Sequence, residues 1–67
     1  MSIGENVKRL REAKNLTKTA LAAEVGVTDS MICQIERGTK TLSLPLALSI
    51  ADVLGCTVAE LAGVGEK

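Results

Sequence analysis

Every eleven to fifteen residues the chain places a Ser or Thr ahead of an apolar run: Ser2, Thr17, Thr28, Ser43 and Thr57. Four of those runs are closed by a residue that tolerates left-handed backbone, namely Asn15, Gly26, Gly38 and Gly55. A Ser or Thr hydroxyl accepts from the first free N–H groups of a helix, and Gly or Asn turns the chain out of the last turn. A sequence cut up in this way can form only short helices, each of which must bury an apolar stripe against the others.

The spacing within the runs agrees. Ser2-Ile3-Gly4-Glu5 has the form of a capping box, and Ile3, Val7 and Leu10 follow at three-and-four spacing, with Lys8, Arg9, Glu12 and Lys14 on the other faces. A second helix opens at Thr17, with Ala20, Leu21 and Val25 turned inward, and Gly26 closes it. About three residues remain for the turn before Thr28 caps a third helix, whose inner face carries Ile32 and Ile35 and which stops at Gly38. A fourth helix begins at Ser43 with Pro45 in its first turn, where a missing N–H does no harm, and carries Ala47, Ile50, Ala51 and Leu54 inward. Thr57-Val58-Ala59-Glu60 is a second capping box, opening a helix of barely two turns with Val58 and Leu61. Residues 63–67 read as a frayed tail, and no internal repeat or linker interrupts the chain.

With 67 residues there is room for one domain, residues 1–67 with a core at about 3–62, and that core must be aliphatic because Phe, Trp and Tyr are absent. The missing aromatics also remove the platforms on which single-stranded nucleic acids stack. Formal net charge is zero, but the charges are segregated. Lys8, Arg9, Arg11, Lys14, Lys18, Arg37 and Lys40 lie in the first forty positions with five acids, whereas only Lys67 stands against Asp52, Glu60 and Glu66 beyond them. An anion-binding surface therefore belongs to the N-terminal two-thirds.

Cys33 and Cys56 are too few for a disulfide framework, and without histidine the chain completes no four-ligand zinc site, so both read as free thiols and no metal or cofactor is expected. The apolar stretch from Leu42 to Leu54 is broken by Pro45 and Asp52 and is too short for a bilayer. No secretory segment precedes the first charged helix, and the expected compartment is the cytoplasm. No Gly-rich phosphate loop or converging carboxylate pair suggests an enzyme, and no small-molecule ligand is expected.

The run from Leu16 through Gly38, with Gly26 at its turn and Ile35-Glu36-Arg37-Gly38 at its end, resembles the helix-turn-helix of the Cro/C1-type, or XRE, family. Ile50 to Val58 is similar to that family's fourth helix and the start of its fifth, so the likeness covers roughly residues 3 to 62. The resemblance implies an all-α, five-helix, lambda-repressor-like domain that regulates transcription by binding double-stranded DNA, with the third helix in the major groove. It also implies a structural ion pair between Arg11 and Glu36. Ala22 has to be small where the two motif helices cross.

By position, Asp29, Ser30 and Gln34 resemble the family's base-reading residues, with Thr28 and Cys33 close by. Gln34 can pair with adenine, Ser30 with either kind of base, and Asp29 can accept from cytosine N4 or serve only to favour the start of the third helix. Met31 fits either the core or a thymine methyl group. Thr17, Lys18, Arg37, Thr39, Lys40 and Thr41 form a candidate phosphate clamp, with Lys18 standing where the family commonly has glutamine. Its point charge lacks the amide's fixed geometry.

One such domain offers little interface for tight specific binding, so a homodimer on a pseudo-palindromic operator is expected, with the third helices about one DNA turn, roughly 34 Å, apart. Leu42, Leu44, Leu46, Val58, Ala62 and Val64 supply the candidate dimer surface, or else simply complete the monomer core. Leu42 stands where the family commonly has proline. A module of the same fold that binds protein, such as an antitoxin-like adaptor, is the alternative that zero net charge favours and the clustered bases oppose.

Overall fold

The computed structural model describes residues 3–63. Five helices follow in order: α1 (Ile3–Ala13), α2 (Lys18–Val25), α3 (Asp29–Arg37), α4 (Leu44–Leu54) and α5 (Val58–Ala62). The caps account for the boundaries. Thr17 accepts from Ala20 N–H, Thr28 from Met31 N–H, and Thr57 from Glu60 N–H while the Glu60 carboxylate accepts from the Thr57 N–H. Ser43 precedes α4 with extended backbone but makes no side-chain cap, and the Ser2 of the first proposed capping box lies outside the described residues. Asn15, at φ 59°, ends α1 in the left-handed region, and Leu16 N–H bonds back to the Arg11 carbonyl at 3.1 Å. Gly63 departs from the sequence reading. Instead of opening the tail it closes α5 in left-handed backbone, its N–H reaching Glu60 O at 3.2 Å; residues 64–67 lie outside the described part.

The core sits where the five stripes converge. Val7, Leu21, Ile32, Ile35, Ile50 and Leu61 are fully enclosed, with Ala22, Ala47, Ala51 and Leu54 nearly so. Each fully buried aliphatic side chain stabilises the fold by about 1.5–3 kcal/mol, so a core of small aliphatics suffices only because every helix contributes. Ile3, Leu10, Val25 and Met31, at the margins of their stripes, are partly buried against it.

Two polar residues share this interior. Asn6 is buried on α1 and its Nδ2 donates to the Leu61 carbonyl at 2.8 Å, satisfying an acceptor that the end of α5 leaves free. Arg11, five residues along α1, is also buried and faces α3. Gly4 lies on that same side of α1. A Cβ there would run into the carbonyl oxygen of Ile35 and come within 2.8 Å of that of Glu36, so the start of α1 rests directly on the last turn of α3.

Candidate nucleic-acid interface

α2 and α3 pack on one another through Leu21, Ala22, Ile32 and Ile35, all buried, and meet through the turn at Gly26. Gly26 has φ 80°, a value that strains any residue with a Cβ, and its N–H and that of Val27 both return to the Ala22 carbonyl. With the apolar side of α3 held inward, helical periodicity turns the rest outward. Asp29, Ser30, Gln34 and Arg37 are exposed and Cys33 is half-buried. Ser30, Gln34 and Arg37 form one stripe at spacings of four and three, while Asp29 and Cys33, four apart, line its flank.

The beginning of α2 runs along that flank. Lys18 Nζ lies 3.9 Å from Cys33 Sγ, and Thr19 Oγ1 donates to Asp29 Oδ2 at 3.2 Å. Lys18 has three donors, so the contact with sulfur leaves others for an anion. Thr28 is the cap of α3 and Asp29 its first residue, which frees the carboxylate from capping.

Thr17, Lys18, Arg37, Thr39, Lys40 and Thr41 are all exposed, the first two at the start of α2 and the others from the last residue of α3 into the loop that follows it. Thr39 is committed elsewhere: its N–H and hydroxyl both donate to the Gln34 carbonyl, at 3.0 and 3.2 Å, and so close the end of α3.

Behind this surface Arg11 holds α3 in place. Its Nε donates to Glu36 Oε2 at 2.7 Å, its Nη2 to Oε1 at 3.3 Å, and its Nη1 to the Leu16 carbonyl at 2.6 Å. The hydrogen bond to Glu36 pushes the guanidinium above its ordinary value, with the Coulombic attraction of Glu36 and Glu12 adding to it and burial opposing it. Arg11 therefore stays charged at every working pH.

A helix-turn-helix family model matches residues 7–61, spanning most of α1 through nearly all of α5. The chain belongs to the Cro/C1-type helix-turn-helix family. The immunity repressor protein of Bacillus phage phi105 is 30% identical over 63 residues, 94% of this chain and 44% of the repressor, so the chain spans less than half of that relative. Among solved structures, the P22 c2 repressor in complex with synthetic operator 9T superposes with a TM-score of 0.88 at 26% identity, covering 92% of this chain and 94% of the other. The restriction-modification controller protein C.AhdI from Aeromonas hydrophila superposes at 0.84 with 34% identity, covering 88% and 89%.

In this helix-turn-helix domain the residues assigned from sequence to the dimer surface divide. Leu42, Leu46 and Val58 are partly buried and pack against the core; Leu44 and Ala62 are exposed; Val64 lies outside the described residues. Leu48, which sequence reading passed over, is 54% exposed one turn from Leu44, itself 64% exposed. Its signal was present, because Leu44 and Leu48 stand four apart on a helix whose inward face was already filled by Ala47, Ile50, Ala51 and Leu54. Thr19 was also missed, and no local pattern marks it. Cys56 is remote from α3 in sequence, and burial, with Glu60 adding, pushes its thiol above the ordinary value. Among the described residues no helix is long and apolar enough to cross a membrane.

Proposed function

We propose that this chain is one DNA-binding domain that regulates transcription by reading an operator in double-stranded DNA, with the exposed stripe of α3 in the major groove. The observation that carries the reading is that Ile32 and Ile35 are fully enclosed while Ser30, Gln34 and Arg37 on the same helix are exposed. A helix held rigidly by its apolar side with a bare polar side is what base readout requires. Gln34 is placed to pair with adenine N6 and N7, Ser30 to bond either kind of base, and Thr28 and Cys33 lie at the rim. Thr17, Lys18, Arg37, Lys40 and Thr41 serve as the phosphate clamp, and Thr39 acts by shaping the loop.

Two copies bind together, so that a pseudo-palindromic site meets two α3 helices. The outer face of α4 around Leu44 and Leu48, with Ala62, is the patch we assign to the second copy, since exposed leucines one turn apart are otherwise costly on so small a domain. Regulation then runs through protein concentration. The reading includes no catalytic step and places the protein in the cytoplasm with the DNA.

Gel-shift titration against random duplex at two salt concentrations tests the core of this. A DNA reader binds both times, with affinity falling steeply as salt rises, because phosphate contacts release counterions. Negligible binding at either salt would favour the protein-binding adaptor instead. Site selection from a random pool then identifies the operator.

A further inference from the structure

We propose that Thr19 is a positioning residue for base readout: its hydroxyl holds the Asp29 carboxylate so that one oxygen faces the groove and selects cytosine in each half-site. The inference rests on the reading that α3 enters the major groove. Thr19 Oγ1 donates to Asp29 Oδ2 at 3.2 Å, from the first turn of α2 to the first residue of α3; both residues are exposed, and Asp29 stands on the flank of the stripe formed by Ser30, Gln34 and Arg37. Thr28 already accepts from the Met31 N–H, so Asp29 is free of the capping duty that usually occupies a carboxylate at a helix start. With Oδ2 engaged, Oδ1 remains as an acceptor.

An ionised carboxylate can only accept, and the major groove offers two donors, cytosine N4 and adenine N6. Adenine presents its N7 acceptor beside N6, which repels a carboxylate; cytosine presents a C–H beside N4. One turn further along the same flank Lys18 Nζ lies 3.9 Å from Cys33 Sγ, so the first turn of α2 runs beside α3 at both points. Without the Thr19 hydroxyl, Asp29 samples several rotamers and its preference for one base weakens.

Binding-site selection with the full chain and the variants Asp29→Ala, Asp29→Asn, Thr19→Ala and Thr19→Ser tests this, with melting curves run alongside. The expected result is one position per half-site at which cytosine is selected, a preference that Asp29→Ala lowers by about tenfold and Thr19→Ala by about threefold or more. Thr19→Ser keeps it, and Asp29→Asn turns it toward adenine, since an amide both accepts and donates. A merely structural hydrogen bond would lower the melting temperature and leave the base preference untouched. Cytosine preference unchanged in Thr19→Ala, or no cytosine position sensitive to Asp29, overturns the proposal while selection at Gln34 positions survives. Loss of all sequence preference in the unaltered chain overturns it together with the operator reading.

Discussion

Arg11 Nε and Glu36 Oε2 stand 2.7 Å apart with only 8% and 4% of the two side chains exposed, which ties the last turn of α1 to the last turn of α3. Two charges withdrawn from water this far stabilise a fold only while both are present. Glu36→Ala strands the guanidinium and is expected to cost about 3–5 kcal/mol, enough to unfold much of so small a domain. Replacing both partners by apolar residues of similar size, Arg11→Met with Glu36→Leu, is expected to recover most of that loss. Urea denaturation of the single and double variants provides the comparison; a single variant with an unchanged midpoint would show the pair to be dispensable.

Gly4→Ala is expected to destabilise, against the usual gain of about 1 kcal/mol from removing glycine inside a helix. The new methyl group meets two backbone oxygens of α3, those of Ile35 and Glu36, which cannot turn aside as a side chain could. Overpacking of this kind costs about 1–3 kcal/mol. Thermal melting decides the sign, and a rise in melting temperature would contradict the close approach.

Asn6 bridges in the other direction, to α5. Asn6→Ala removes the donor that satisfies the Leu61 carbonyl, 2.8 Å away, and leaves a polar group without its buried partner, at a cost of about 1–3 kcal/mol. The short helix Val58–Ala62 is otherwise held by Leu61, the partly buried Val58 and its caps. Faster amide exchange confined to α5 is the expected signature, and uniform protection across α5 would count against it.

Gln34→Ala and Lys18→Ala are expected to fail in different ways. Gln34 is exposed on the outward stripe of α3, so its loss relaxes the base preference at one position of each half-site and leaves the salt dependence intact. Lys18 acts through charge, so its loss weakens binding to every sequence and lowers the salt slope by about one. Titrations of matched and mismatched duplexes over a range of salt separate the two, and equal loss on all sequences from both changes would contradict the assigned roles.

Leu48→Glu is expected to leave the fold intact and to disperse the proposed dimer. The side chain is 54% exposed, so a charge there is tolerated in the monomer but meets its own copy across a two-fold axis. Analytical ultracentrifugation should show a monomer where the unaltered chain self-associates, with a matching loss of operator affinity. Unchanged association would move the interface elsewhere.

What was legible in the chain was everything decided within one or two turns. A Thr hydroxyl reaches only the N–H groups just ahead of it, and a Gly acts on its own φ, so the starts at Thr17, Thr28 and Thr57 and the stops at Gly26, Gly38 and Gly55 follow from residues a few positions apart. The burial of Ile32, Ile35, Ile50 and Leu61 follows in the same way from a period of 3.6. The Arg11 and Glu36 pairing came from family likeness, because a separation of 25 residues carries no local signal.

The packing of helix on helix determined the rest. Whether Gly4 touches the end of α3, whether Asn6 finds the Leu61 carbonyl, and whether Thr19 reaches Asp29 depend on crossing angles and offsets, which the side chains of both partners set jointly. The sequence by itself determined five helices, the side-chain caps of α2, α3 and α5, and which side of each helix turns inward. Only the tertiary structure decided which polar groups meet across them, since such meetings are made by residues that approach in space without any fixed spacing along the chain.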